Sequence, residues 1–217
     1  TSYQLYNALT PASYEVHLLR INYVDSKGEV NNFRQYGFLL ESTKELATRL
    51  EAEECEDCRA LPLDQMDRAA ANLHAVFQYM IGNADFNLPM LRNVKLFTRK
   101  GKPALPVAYD FDFAGLVDVP YAIPARELGQ LSIQDRIFLG AQVSDVQMET
   151  TLAHFEAKRE ELFQVIKDQR SLTLNARSEM RMYLKSFYDQ LTDLQKTGGA
   201  RTYARLREKA PQVVPAG

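Results

Sequence analysis

Residues 73–116 constrain the fold more than any other stretch, because three kinds of local pattern follow one another there without a break. A helical apolar pattern gives way to a polar loop with Asn83 and Asp85, and two β-rich runs then lead to Asp110 and Asp112. Acidic and amide side chains beyond the ends of a helix and a strand suit a divalent cation and a polyanionic substrate. Such residues also dominate ordinary turns, so their combination, and no single residue, predicts a functional site.

The composition is that of an ordinary globular protein, with 46% hydrophobic and 25% charged residues in a chain of 217. A net charge of −2 argues against a general nucleic-acid or anionic-membrane binder, because such proteins need a basic surface. No apolar run approaches the roughly 18 residues of a membrane span, and the N-terminus lacks the pattern of a signal peptide. We therefore expect a soluble, cytoplasmic protein without nucleic acid among its partners.

Cys55 and Cys58 form a C-x-x-C motif inside an acidic run. This spacing is compatible with a redox pair or with half of a metal site. Neighbouring acidic side chains oppose thiolate formation, and a zinc site would need two further ligands, which the isolated histidines do not supply. We therefore expect a loop disulfide or two idle thiols.

Periodicity predicts strands early in the chain. A short helix over residues 3–9 precedes two strands at 14–24 and 35–41, which should form an antiparallel pair. Ser42 and Glu45 have the spacing of a capping box and predict a short helix immediately afterwards.

The pattern becomes mainly helical in the second half. Apolar residues at every third or fourth position predict an amphipathic helix from Met66 to Met80, which Gly82 would end. Residues 115–128 are rich in proline and should be irregular. Because strands and helices are segregated, the chain is expected to be α+β and a single domain. Further helices are expected at residues 132–139, from a start capped by Ser144 with Gln147, at 178–196 and at 201–209.

Residues 82–116 resemble the catalytic segment of kinase-fold phosphotransferases, especially the atypical bacterial HipA-like and spore-coat CotH-like kinases. Those families place a loop with Asp and Asn after a helix, followed by a short β-hairpin and an apolar strand that ends in Asp. The matching pieces are Gly82-Asn83-Ala84-Asp85, Asn93-Val94-Lys95-Leu96 and Val107-Ala108-Tyr109-Asp110-Phe111-Asp112.

The resemblance implies a protein-kinase-like α+β fold, in which a small antiparallel sheet precedes a mainly helical large lobe. It implies an ATP- and Mg²⁺-dependent phosphotransferase with an unspecified phosphoryl acceptor. Residues 1–42 would be the remnant of the small lobe and the hinge, 43–210 the large lobe, and 211–217 a tail. Since the chain begins with Thr1 and not with Met, we expect most of the small lobe to lie upstream.

The resemblance also assigns roles to particular side chains. Asp85 would be the catalytic residue that orients or deprotonates the acceptor hydroxyl. Asn83 and Lys95 would contribute to binding the nucleotide cofactor. The implied magnesium ligands are Asn93 and Asp110, with Asp112 beside them or in place of Asp110.

Two departures from the kinase pattern are visible. Asp85 and Asn93 are eight positions apart, which exceeds the H-R-D-x-x-x-x-N spacing, so residues near Leu88 and Pro89 must bulge outward. No Gly-rich phosphate loop and no lysine-bearing strand precede the segment. The alternative function is therefore that of a non-catalytic, pseudokinase-like binding protein.

A third interpretation comes from Asp110-Phe111-Asp112 alone. An apolar strand followed by D-x-D resembles the haloacid-dehalogenase phosphatases, in which the first Asp is the nucleophile. That fold requires parallel β-α units downstream, and no strand pattern follows Leu116. The phosphatase interpretation therefore ranks below the other two.

Overall fold

The computed structural model describes residues 1–198 and residue 206. Strands occupy the first half and helices dominate the second, so the predicted α+β class is confirmed. Two single turns of 3₁₀ helix occur at Leu63–Gln65 and Arg126–Leu128. In chain order the elements are α1 (Ser2–Leu9), β1 (Val16–Tyr23), β2 (Phe33–Leu40), α2 (Thr43–Arg49), β3 (Glu53–Glu54), α3 (Arg68–Ile81), β4 (Val94–Arg99), β5 (Lys102–Ala108), α4 (Asp145–Ala157), α5 (Arg159–Lys167) and α6 (Leu174–Gly198).

β1 and β2 form the predicted antiparallel pair, a two-stranded sheet in which Val16 lies opposite Leu40 and Tyr23 opposite Phe33. Neighbouring residues of a strand point to opposite faces. Phe38 and Leu39 are 57% and 59% exposed, so the described residues leave apolar side chains uncovered on both faces of this hairpin.

A second antiparallel sheet has the order β3-β4-β5. Val94 at the start of β4 lies opposite Ala108 at the end of β5, so the two β-rich runs of the sequence pair as expected. β3 was not predicted, because two residues are too short to show a period. It is held to β4 by pairing of Glu53 with Thr98 and of Glu54 with Phe97.

α3 is the central helix of the main core and contacts β5, α4 and α6. Its Phe77 ring stacks on Tyr6 of α1 at 4.4 Å between centroids and lies edge-on to Phe111 at 5.6 Å. A smaller core cluster under α2 contains Tyr14, Leu46, Phe97, Leu105 and Val107. α1, α3 and the segment after β5 are therefore packed around one set of aromatic rings.

The capping boxes predicted at two helix starts are present. Ser42 and Glu45 exchange side-chain and backbone hydrogen bonds at the start of α2, and Ser144 and Gln147 do the same at the start of α4. α6 begins at Leu174, earlier than predicted, and α5 was missed. Of the helix expected at 201–209, all but Leu206, which is helical and buried, lies outside the described residues.

The helix predicted at 132–139 is wrong, because side chains in this segment replace helical backbone bonds. The Asp135 carboxylate accepts from the backbone N–H groups of Leu131 (2.9 Å) and Ser132 (2.8 Å). The Gln130 amide donates to the carbonyls of Ile133 (3.2 Å) and Asp135 (3.0 Å). The segment is a loop stabilised by its own polar side chains.

Cys55 and Cys58 form a disulfide, which decides between the two expected states of this motif. Within residues 1–198 and 206, no group of three or more His, Cys, Asp or Glu side chains is placed to hold a metal ion. The same part of the chain has no helix with the length and apolar character of a membrane span.

Candidate functional site

The end of α3 sets the position of the polar loop. Gly82 ends the helix in the left-handed conformation (φ 67°), which glycine adopts without penalty. Asn83 follows; it is 1% exposed, and its side-chain oxygen accepts from the backbone N–H of Asp85 at 2.9 Å. This Asx turn redirects the chain so that Asp85 is half-buried at the edge of the core.

The extra residues between Asp85 and Asn93 form an outward loop, as the spacing predicted. Asn87 and Arg92 exchange two backbone hydrogen bonds of 3.0 Å each, so the intervening residues leave and return at the same point. Met90 in this loop is 61% exposed. The loop therefore lengthens the sequence interval without separating the side chains at its two ends.

Asn93 binds Asp85 directly. Its amide nitrogen donates to the main-chain carbonyl of Asp85 at 2.6 Å and to the carboxylate oxygen Oδ2 at 2.9 Å. Arg92 adds an ion pair, with Nε 3.4 Å from Oδ1 of Asp85. Asn93 is in the left-handed region (φ 55°), where asparagine is one of the few tolerated side chains. The Asp85 carboxylate is thus held at both oxygens.

Asp110 lies just beyond the paired end of β5. The backbone N–H of Tyr109 donates to the carbonyl of Asn93 at 3.1 Å, which continues the β4–β5 pairing by one residue. Asp110 then takes a left-handed conformation (φ 57°), and its backbone N–H donates to the hydroxyl of Tyr3 at 3.0 Å. Non-glycine residues with positive φ cluster at functional sites, and here two such residues lie on adjacent strand ends.

The aspartates affect one another electrostatically. Partial burial, a hydrogen bond to Asp112 and the negative charges of Asp112 and Asp85 together raise the pKa of Asp110 above its ordinary value. A backbone N–H from Asp112 offsets part of this increase. Tyr121 donates its hydroxyl to Oδ2 of Asp112 at 3.3 Å. The structure therefore brings together Asp85, Asn93, Asp110 and Asp112, all of which the sequence nominated.

Asp110 and Asp112 line a cleft of about 450 Å³ that opens between α1, the β1–β2 hairpin and the loop after α5. Most of the lining side chains are apolar or aromatic, and polar side chains from α1, the segment after β5 and the loop after α5 lie among them, as in many small-molecule sites. Its aromatic walls are Tyr3, Tyr36, Phe38, Phe111 and Tyr121.

Asn83 and Lys95 are engaged elsewhere. Asn83 is buried within the turn it forms. Lys95 Nζ lies 2.5 Å from Oε1 of Glu54. Burial acts to lower the pKa of Lys95, but the bond to Glu54 and nearby negative groups outweigh it and raise the pKa. Neither side chain lines the cleft, and their assignment to cofactor binding stays a prediction.

Three contributors to the site were missed by sequence reasoning. Arg92 pairs with Asp85, Tyr3 accepts from the Asp110 backbone, and Tyr121 donates to Asp112. Tyr3 belongs to the apolar face of α1, so its pattern indicated only packing. Arg92 directly precedes Asn93, and this adjacency was the one local signal available.

A buried arginine fixes the helix end that carries the site. Arg136 donates to the carbonyls of Met80 (3.1 Å) and Tyr183 (2.6 Å) and to the hydroxyl of Ser186 (2.9 Å). Its guanidinium also lies 3.9 Å from the centroid of the Tyr183 ring. Since Met80 is in the last turn of α3, Arg136 joins that turn to α6.

The haloacid-dehalogenase interpretation loses its structural support. The strand before Asp110 is β5, which lies at the edge of an antiparallel sheet. No strand follows β5 within the described residues, whereas that fold needs a parallel sheet continued by β-α units.

Comparison with known proteins gives no relative: no family model matches the chain, and neither a curated protein nor a solved structure matches it.

Proposed function

We propose that this protein is a Mg²⁺- and ATP-dependent phosphotransferase with a kinase-like arrangement of its catalytic residues. One observation carries the proposal: Asn93 bonds the Asp85 carboxylate, the charge of Asp85 acts on Asp110, and Asp110 and Asp112 line the aromatic cleft. Asn93 and Asp110 both adopt left-handed backbone conformations beside the paired ends of β4 and β5.

The residues present fit a divalent cation. Partial burial and the neighbouring Asp112 raise the pKa of Asp110. Among the described residues, neither aspartate forms an ion pair with a cationic side chain. Their uncompensated charge favours a cation. Mg²⁺ in phosphotransferases is held by one or two carboxylates while the substrate phosphates supply other oxygens, so a pair of aspartates suffices. A magnesium ion held by Asp110 and Asp112 would neutralise phosphate charge.

The proton-handling role falls to Asp85. Its carboxylate is half exposed, so an acceptor hydroxyl can reach it, and Asn93 and Arg92 fix its orientation. An ionised carboxylate held in this way can accept the proton of a hydroxyl as that oxygen attacks phosphorus. The aromatic cleft wall would hold the nucleotide base.

A second candidate is a non-catalytic interaction protein. It is favoured by the exposed apolar side chains on both faces of the β1–β2 hairpin, since large exposed apolar patches mark binding surfaces. Binding of nucleotide without phosphate transfer would support this candidate.

The test is titration with a fluorescent methylanthraniloyl-ATP with and without MgCl₂. We expect saturable, Mg²⁺-dependent binding that Asp110→Ala abolishes, because this variant removes a metal ligand that lines the cleft. Asp85→Asn should keep binding but lose transfer of radiolabelled phosphate. Asp118→Ala is the control, since Asp118 is exposed and left-handed (φ 51°) but does not line the cleft. Absence of Mg²⁺-dependent binding, or binding unaffected by Asp110→Ala, would contradict the proposal.

A further inference from the structure

A groove of about 630 Å³ lies between α5 and α6, and half of its lining residues are cationic. Among its lining residues Glu160 is the single acid. This concentration of positive charge contrasts with the net charge of −2 of the whole chain. The basic groove, as we call it, has five cationic side chains: Arg159, Lys167, Arg177, Arg181 and Lys185.

Several of these cations lack a carboxylate partner. Among the described residues, Lys167, Arg177 and Arg181 have no ion pair within 4.0 Å, whereas Arg159 pairs with Glu156 of α4 and Lys185 pairs with Asp189 of α6. Arg177 donates to the carbonyl of Lys167 at 3.1 Å, and its Nε is buried without an acceptor in that part of the chain. The basic groove therefore has positive charge that is not neutralised within the fold.

Apolar side chains lie beside these cations in a regular order. On α6, Leu174, Ser178 and Met182 form one row of residues spaced by four, and Arg177, Arg181 and Lys185 form the neighbouring row. Leu174 is 79% exposed and Met182 is 62% exposed, so the described residues leave both apolar side chains uncovered. One side of the groove is thus basic, and the adjacent side carries two exposed apolar side chains with a serine between them.

We propose that the basic groove binds an acidic amphipathic helix of a partner protein. An incoming helix with carboxylates in one row and leucines in the next would match both rows of α6 at the same spacing. The row from Arg177 to Lys185 spans roughly 12 Å, or just over two helical turns. Opposite charges would speed association and set the register, while the apolar contacts would supply affinity.

The other anionic partners fit less well. A nucleic acid would use the cations but would leave Leu174 and Met182 uncovered. A membrane-surface helix buries its apolar face in the lipid, whereas Leu174 and Met182 line a groove between two helices.

The α5–α6 region contributes residues both to the basic groove and to the cleft of the candidate site. The connection between α5 and α6 contributes Gln169, Ser171 and Leu172 to the cleft beside Asp110, and the helix ends that flank it contribute Lys167 and Leu174 to the basic groove. A helix bound in the groove would therefore lie next to the cleft. The proposal itself does not depend on phosphotransfer.

The experiment measures fluorescence anisotropy of a labelled 14-residue helical probe peptide in which pairs of glutamates alternate with pairs of leucines. We expect saturable binding to the full chain that weakens as NaCl is raised. Arg181→Glu combined with Lys167→Glu should weaken binding at least tenfold. The matched control is Lys27→Glu with Arg34→Glu, which makes the same charge change at exposed positions of the β1–β2 hairpin region. Far-UV circular dichroism checks that both double variants fold.

Two further probes separate the remaining outcomes. The same peptide with glutamine in place of glutamate should bind at least tenfold more weakly, and Met182→Ala should weaken binding of the acidic peptide several-fold. Equal binding by the wild type and the Arg181/Lys167 variant would overturn the proposal. So would binding to phosphatidylserine vesicles or to single-stranded DNA with no binding of the acidic peptide.

Discussion

The Asn93 side chain donates to Asp85 twice, at 2.6 Å to the main-chain carbonyl and at 2.9 Å to the carboxylate. These two bonds hold the ends of the loop together, and the Asn87–Arg92 backbone pair closes its outer part. They also join the turn after α3 to the start of β4. The orientation of the Asp85 carboxylate therefore depends on one asparagine with a left-handed backbone (φ 55°).

The first prediction concerns Asn93. Asn93→Gly keeps a residue that tolerates positive φ but removes both hydrogen bonds, so we expect a loss of about 1–3 kcal/mol in the free energy of unfolding. Asn93→Ala should cost about 1 kcal/mol more, because alanine adds the strain of the left-handed conformation. Urea unfolding followed by circular dichroism measures both. Equal stability of the wild type and Asn93→Gly would show that the two bonds contribute nothing.

The second prediction concerns His74, which is buried in α3 with neither ring nitrogen hydrogen-bonded to the described residues. Burial lowers the pKa of His74 to about 4. A histidine with a lowered folded pKa stabilises the protein fully above its unfolded pKa of about 6.5, and this contribution is lost as the pH falls toward 4. We expect the wild type to lose up to about 3 kcal/mol across this window from this group alone.

His74→Leu should remove that part of the acid sensitivity, since leucine has a similar size and no charge. The measurement is the free energy of unfolding at several pH values between 7 and 4. His17, which is exposed on β1, provides the control, and His17→Gln should leave the slope against pH as in the wild type. A wild-type slope in His74→Leu would mean that His74 is already protonated or solvated in the folded state.

Local signals in the sequence predicted much of the fold. Ser42 with Glu45, and Ser144 with Gln147, determine helix starts through hydrogen bonds within four residues, so their pattern is sufficient. Gly82 likewise marks the end of α3, because the left-handed conformation there favours glycine. The outward loop between Asp85 and Asn93 was predicted because the interval of eight positions between them exceeds the H-R-D-x-x-x-x-N spacing.

Contacts between distant residues were not predictable in the same way. The loop at 132–139 has a helical apolar pattern, yet the side chains of Gln130 and Asp135 bond its backbone in another conformation. The support that Tyr3 gives to Asp110 joins residues that are 107 positions apart in the sequence. Nothing in the local pattern of either residue indicates its partner, since packing decides both.

The third prediction concerns the close approach of α6 to Gly82. A Cβ at this position would lie 2.0 Å from the Tyr183 hydroxyl, and φ is 67°. Gly82→Ala should therefore destabilise the protein by about 2–4 kcal/mol, from the steric clash and from backbone strain together. Thermal and urea unfolding measure the loss.

Combining Gly82→Ala with Tyr183→Phe separates these two causes. Phenylalanine lacks the hydroxyl, so the nearest remaining ring atom would be the carbon now 3.1 Å away. We expect the double variant to be more stable than the sum of the single changes implies, with a residual loss of about 1 kcal/mol from positive φ. Strict additivity would mean that the Tyr183 hydroxyl moves away at no cost.

The last prediction concerns the charge of Asp110. Partial burial, the hydrogen bond to Asp112 and the charges of Asp112 and Asp85 raise its pKa. A carboxyl group with a raised folded pKa contributes stability below its unfolded pKa, and this contribution is lost as the pH rises through the folded value. At neutral pH the ionised Asp110 is therefore unfavourable, and Asp110→Asn should stabilise the protein in the absence of a cation.

The gain should be only a few tenths of a kcal/mol, because Asp110 is exposed and solvent screens its charge. This corresponds to about 1 °C in the unfolding midpoint. The gain should disappear as the pH falls toward 4. Added MgCl₂ should raise the midpoint of the wild type more than that of the variant, because the cation compensates a charge that the variant lacks. Asp118→Asn, at another exposed left-handed aspartate, should show neither effect, and equal responses of the Asp110 and Asp118 variants would exclude a cation at Asp110.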